Sequence, residues 1–262
     1  MESKPALFGT EYATAFQEAD VVRTYQYRPP YPDALFDLLM ELLPGEPRGV
    51  LDIGCGTGAL ARRLAPLVER VDAVDISPAM LEEGRRLPGG DHPGINWILG
   101  RVEDVALHRP YGLVTAGASL HWMEWETVLP RLQDVLVGEG RLAIVEDGQL
   151  PLPWDGELRE IIKRYSVYGR WYDRPDLIGE LERRGLFRCE ERRRVGPMRF
   201  VQPVSDYVES FHARAGLPRA RMGADSAAAF DAEVHALVSA QVREMVAIEV
   251  VAGVAWGRPT RP

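Results

Sequence analysis

Three glycines, Gly54, Gly56 and Gly58, alternate with Cys55 and Thr57 directly after the apolar run Gly49-Val50-Leu51-Asp52-Ile53. A helical pattern follows them. Glycine at such positions permits a tight turn and lets a ligand approach the backbone closely. In an open parallel sheet, ligands bind beyond the carboxyl ends of the strands, where the strand order reverses. Two acids frame the loop. Asp52 stands just before it, and Asp75 ends the next apolar run, Val71-Asp72-Ala73-Val74-Asp75, 21 residues after Gly54.

The glycines alone do not choose the ligand, because with Ala59 they also read Gly-x-Gly-x-x-Ala. A nicotinamide dinucleotide would present its pyrophosphate to the helix start. S-adenosylmethionine (SAM) would present a nucleoside and an amino acid, with no phosphate. Asp75 suits either, since a carboxylate there can accept both ribose hydroxyls. Asp52 favours SAM, because it would repel a pyrophosphate and welcome an ammonium. The loop read simply as a structural turn is the remaining alternative.

These residues need a sheet with helices to hold them. The pattern predicts a helix over Asp33–Leu43 with Asp33 as its cap, then a strand at 49–53 and a helix at 59–68. It continues with strands at 71–75, 96–99, 113–116 and 141–146, and with a helix capped by Ser77 and opened by Pro78. Alternation of this kind gives a parallel sheet covered on both faces. Beyond Pro151-Leu152-Pro153 the pattern is less regular, with helices expected at 156–168, from Ser205, and at 227–242, and extended chain at 200–204 and 244–255. The expected fold is a Rossmann-like, doubly wound, mostly parallel seven-stranded α/β sheet with an N-terminal helical cap and a C-terminal helical insertion. Residues 1–32 would form the cap, 33–147 the cofactor-binding core, and 148–262 substrate-side helices and closing strands of the same domain.

Composition narrows the class. The chain has 262 residues, 46% of them hydrophobic and 27% charged, which suits a globular fold. A net charge of −8 makes it a poor general binder of nucleic acid. No apolar run reaches the length of a membrane span, and the first residues lack a secretion signal's basic and apolar regions. Cys55 and Cys189 are the only cysteines, too few for a disulfide scaffold or a structural zinc site, so a cytoplasmic protein without a metal is expected. The run Arg192-Arg193-Arg194 reads as solvated surface.

The nine residues Val50-Leu51-Asp52-Ile53-Gly54-Cys55-Gly56-Thr57-Gly58 resemble motif I of the class I SAM-dependent methyltransferases. The likeness extends through Asp75-Ile76-Ser77-Pro78-Ala79-Met80, Ala118-Ser119-Leu120-His121-Trp122 and a variant of the family's glycine turn within Leu136–Ile144. Arg28-Pro29-Pro30-Tyr31-Pro32 is similar to small-molecule members of the type 11 group, including trans-aconitate methyltransferases. The resemblance covers roughly residues 10–147. It implies that Asp52 and the backbone at Gly54 and Gly56 hold the methionine end of SAM, and that Asp75 binds the ribose. Ile76 and Met80 would pack on the adenine, and the backbone at Ala116 and Gly117 would line the methionine portion. Arg28 would reach the SAM carboxylate. The family's acid for the adenine amine is replaced by arginine in Gly100-Arg101-Val102-Glu103-Asp104; Arg101 cannot accept that hydrogen bond, so Glu103 or a backbone carbonyl would substitute, with Val102 and Glu103 as the cofactor-binding candidates there.

Methyl transfer from a sulfonium is an in-line displacement, and alignment can supply much of its rate. His121, beyond the fourth strand, is the candidate base or substrate donor, with a structural histidine as its alternative. The Asn/Asp-Pro-Pro-Tyr motif of nucleic-acid amine methylases is imitated by Arg28-Pro29-Pro30-Tyr31 in letters only, since arginine is a donor. Arginines interleaved with aromatics over Arg164–Arg174 could bind an anionic acceptor or could pack as an amphipathic helix. The expected function is SAM-dependent methylation of a small molecule, with a carboxylate as a candidate acceptor. A nicotinamide oxidoreductase and a SAM-binding protein without turnover are the alternatives.

Overall fold

The computed structural model describes residues 10–108, 110–168 and 176–261. Seven strands form one sheet: β1 (Gly49–Ile53), β2 (Arg70–Asp75), β3 (Ile95–Leu99), β4 (Tyr111–Gly117), β5 (Leu136–Gln149), β6 (Phe187–Pro203) and β7 (Met245–Pro259). Their order is β3-β2-β1-β4-β5-β7-β6. The pairings β1 with β2, β1 with β4, β2 with β3 and β4 with β5 are all parallel. The order reverses between β1 and β4, so a crevice opens at their carboxyl ends, where ligands bind in such sheets. Every residue of β1 is buried, which is why its sequence reads as a continuous apolar run rather than an alternation.

The described residues fall into two compact units. One comprises Tyr31–Gly148, Asp176–Gly196 and the chain from Val251 onward. Its core gathers Leu35 and Leu39 from the helix Asp33–Leu42, Leu60 and Leu64 after the glycine loop, and Val50, Val71 and Leu113 from the sheet. The other takes the chain up to Pro30, then 149–168 and Pro197–Val250. The helices Asp155–Tyr165, Val204–Phe211 and Ala224–Ser239 build its core from Trp154, Ile162, Tyr207, Phe211, Phe230 and Val234. Edge-to-face contacts link Trp154 to Tyr207, Tyr207 to Phe211 and Phe211 to Phe230, at centroid distances of 6.2, 5.1 and 6.0 Å.

Several expectations need correction. Asp33 does not cap its helix; Pro32 holds that position, and the Asp33 carboxylate pairs with Arg63 at 2.7 Å. The helix expected over 59–68 is α-helical only at Ala61–Leu64 and tightens to a 3₁₀ turn at Ala65–Leu67. Pro66 lacks the N–H that would continue the ladder, and Leu67 is 45% exposed instead of lying on the apolar face. The glycines at 138 and 140 make no turn between elements. They bulge from β5, where Tyr111 pairs with Leu136 but Leu113 with Arg141. The helix expected over 156–168 ends at Tyr165. Arg164 and Tyr165 both bond Glu233, at 2.9 and 2.7 Å, so these two side chains serve helix packing; the rest of the arginine–aromatic stretch from Gly169 on lies outside the described residues.

Trp97, on β3, sets the spacing between the glycine loop and the helix Pro78–Arg86. Its indole N–H donates to the Gly90 carbonyl at 3.0 Å. The far edge of the ring occupies the space where side chains at Gly58 and Gly84 would be: a Cβ there would lie 2.4 and 2.7 Å from Cη2. In an ordinary helix interior, Gly→Ala gains roughly 0.5–1 kcal/mol. At Gly84 the sign should reverse, since the new methyl would meet the indole and, at 2.9 Å, the Thr57 carbonyl. Gly84→Ala should lose about 1–3 kcal/mol in urea unfolding; a variant as stable as the parent removes Trp97 as the cause of that glycine.

Candidate functional site

The glycine loop turns at the end of β1 through three residues with positive φ, +61° at Gly54, +55° at Gly56 and +75° at Gly58. At Gly54 a side chain is excluded by close approach. A Cβ would sit 2.5 Å from that of Ser119, whose hydroxyl donates to the Ile53 carbonyl at 2.6 Å. The chain beyond β4 reaches this position through Ala118, the one non-glycine residue at positive φ among the described residues. Gly56 contributes its backbone instead: its N–H donates to Asp75 Oδ2 at 2.8 Å. The other Asp75 oxygen accepts the Ser77 N–H, also at 2.8 Å. Burial raises the pKa of Asp75, opposed by the bonds from Ser77, Gly56 and Ile76.

Asp52 lies deeper, 1% exposed. Its Oδ1 accepts from the Thr115 hydroxyl at 2.8 Å, while Oδ2 is buried without a hydrogen-bond partner. Its pKa is pushed up to about 7, chiefly by burial. The Thr115 bond and the Ala61 backbone oppose this, and the Asp75 carboxylate adds to it. The Cys55 thiol is held well above its ordinary range by burial and by both carboxylates, so it is no nucleophile.

The remaining expected residues are placed as follows. Ile76 is half-buried, whereas Met80 is buried, its N–H donating to the capping Ser77 hydroxyl at 3.2 Å. Val102 is buried. Glu103 is already engaged: its Oε1 accepts the Glu124 N–H at 3.0 Å, with Arg101 Nη2 at 3.5 Å. Ala116 and Gly117 end β4, and a Cβ on Gly117 would lie 3.0 Å from Leu60 and 3.1 Å from the Tyr31 hydroxyl. His121 is buried in the 3₁₀ turn Leu120–Trp122, its ring 4.1 Å from that of Trp122. Arg28 belongs to the other compact unit. There it donates to the Tyr25 hydroxyl at 3.1 Å and lies over that ring. Thus Asp52, the glycine loop, Asp75 and the end of β4 come together in one unit, and Arg28 does not share it. Sequence reasoning missed Thr115 and gave Ser119 and Tyr31 no role beyond their place in the resembling stretches; the three reach the site from 63, 66 and 86 residues away in the chain.

The buried carboxyl makes a stability prediction with a definite sign. Asp52 holds its proton in the folded protein up to about pH 7, while the unfolded chain releases it near 3.8. Stability therefore falls as pH rises through that window and is flat above it, the loss being on the order of 4 kcal/mol at full ionisation. Asp52→Asn removes the ionisable group. Its melting temperature relative to the parent should rise from about pH 5 to about pH 8; a difference independent of pH would sink the burial argument.

Residues 50–140 match the profile of a methyltransferase domain. The malonyl-[acyl-carrier protein] O-methyltransferase of Anoxybacillus flavithermus is 34% identical over 87 residues, which is 32% of this chain and 33% of that protein. The trans-aconitate 2-methyltransferase of Streptomyces avermitilis is 29% identical over 150 residues, 53% of this chain and 52% of that protein. The chain thus spans about a third to a half of the length of these curated relatives. A solved structure from Anaeromyxobacter dehalogenans, provisionally assigned as a type II methyltransferase, shares the fold with a TM-score of 0.63 at 24% identity, over 88% of this chain and 97% of that one. Among the described residues no helix is long and apolar enough to cross a membrane. The glycine loop at the reversal point of the sheet and its two flanking acids lie within the stretch that these comparisons single out: residues 50–140 are similar to a methyltransferase domain.

Proposed function

We propose that the protein transfers a methyl group from SAM to a small molecule bearing a carboxylate. The observation that carries this reading is the Asp52 carboxyl, buried under the glycine loop with one oxygen unmatched. An unmatched buried acceptor is costly, and a cationic donor is the group that satisfies it. A pyrophosphate offers acceptors and no donor for that oxygen, which argues against a nicotinamide cofactor. Bound SAM supplies a methyl group already activated on a sulfonium. The chain's own part is to hold and align. Asp52 takes the ammonium of the methionine portion, Asp75 takes the ribose hydroxyls while its amide bonds fix its orientation, and the backbone at Gly54, Gly56, Ala116 and Gly117 lines the methionine half. Ile76 flanks the adenine with Met80 behind it, and Val102 and Glu103 border its far edge.

The carboxylate acceptor draws its support from the relatives, since malonyl and trans-aconitate groups both present one. An ionised carboxylate needs no base, which fits a buried His121 that orients rather than abstracts. Turnover of methyl-labelled SAM over a panel of mono-, di- and tricarboxylic acids, with amines and phenols as controls, tests the class. Labelling confined to the amines or phenols overturns the carboxylate assignment.

Two variants sharpen the reading. Asp75→Ala should weaken SAM binding by about 1.5–3 kcal/mol, the scale of hydrogen bonds to a charged acceptor; calorimetry showing unchanged affinity refutes the ribose role. With a carboxylate acceptor, His121→Ala should lower turnover modestly and equally across pH. A loss of order 10²–10⁴ that shrinks at high pH marks a general base and a proton-bearing acceptor instead.

A further inference from the structure

Asp52 combines near-complete burial with an incomplete set of partners. The groups that face it can be named element by element. From β2 comes the Asp75 carboxylate, from the glycine loop the Cys55 thiol, from β4 the Thr115 hydroxyl, and from the helix Ala61–Leu64 the Ala61 backbone. None of these is a cation. Among the described residues, a carboxylate in that setting lacks solvent, lacks a counter-charge and has a second acid beside it; each of the three favours the neutral form. The Thr115 hydroxyl meets only one of its oxygens.

We infer that cofactor binding at this site releases a proton from Asp52, the ligand's ammonium replacing that proton as the positive charge beside the carboxyl group. This rests on the SAM reading above. In the exchange, the Asp52 O–H bond breaks, its proton leaves to the buffer, and the carboxylate left behind pairs with the ammonium, which keeps its three protons. With the carboxyl pushed up to about 7 in the empty protein, release should approach one proton per site at about pH 6 and fall toward zero at about pH 8.5. Affinity should then rise close to tenfold per pH unit below neutrality and level off above it. Burial raises the pKa of Asp75 as well, and ribose hydroxyls donating to it would favour its charged form, so the Asp52→Asn comparison is what assigns the released proton to Asp52.

Titration calorimetry with S-adenosylhomocysteine tests this without any acceptor or turnover. That ligand keeps the ammonium and lacks the sulfonium charge. At about pH 6, binding enthalpies in buffers of different ionisation enthalpy should give a slope close to one proton released, and at about pH 8.5 a slope near zero. In Asp52→Asn the slope at the lower pH should vanish. Thr115→Val, which removes the hydrogen bond favouring the charged form, should move the midpoint of release to higher pH. Binding with no buffer dependence overturns proton coupling and leaves the SAM reading standing. No binding of S-adenosylhomocysteine at either pH overturns the SAM reading and the coupling with it. Release that persists in Asp52→Asn assigns the proton to another group and refutes the role of Asp52. Should Asp52→Asn fail to fold, an unmoved midpoint in Thr115→Val gives the same refutation.

Discussion

Asp75 uses its two oxygens to fasten three pieces of chain at one point. Gly56 donates from the glycine loop and Ser77 from the start of the next helix, each at 2.8 Å, while the residue itself terminates β2. Charge-assisted bonds of this kind are the stronger ones. They fix the height of the loop above the sheet and the entry angle of the helix Pro78–Arg86. The crevice between β1 and β4 therefore has a wall whose position is set before any ligand arrives. Such preorganisation is what a reaction dependent on alignment requires.

A second acid works by the opposite principle. Asp75 is well supplied with donors, whereas Asp52 is buried with one oxygen unmatched. The empty site thus stores a polar group that the fold does not satisfy, at a cost to its own stability. Natural sites often carry local conflicts of this kind where function demands them. The Asp75 carboxylate adds to the tendency of Asp52 to stay protonated. Only one of them has its charge answered by the protein.

The parts legible in the sequence were those whose signals are local. β1 ran over the same residues as expected because a five-residue apolar run bounded by prolines and glycines leaves little latitude. The Ser77 cap and Pro78 behind it were equally plain. Most of β6 was not. It is the last strand in the sheet order, and nearly all of Arg188–Arg194 is exposed, so its sequence lacks the apolar alternation that marks a strand. At the site, Asp52 and Asp75 announced themselves by their place beside the glycines. Thr115 did not, because a threonine inside an apolar strand carries no sign that its hydroxyl is committed to an acid on the neighbouring strand. The glycines were read as ligand-facing, yet Gly54 and Gly58 are also required by Ser119 and Trp97.

The indole of Trp97 fills two hollows at once, one in the glycine loop and one in the helix Pro78–Arg86. Bulk on β3 and its absence at two other places in the chain form a single lock. It follows that these segments cannot be inherited separately. A chimera that takes β3 from a relative with a smaller side chain at this place would leave a void beneath the loop, and one that takes only the loop and helix, with alanines in place of the glycines, would have no room to close. Recombination within this fold should succeed when the crossover falls outside residues 54–97 and fail when it falls between them.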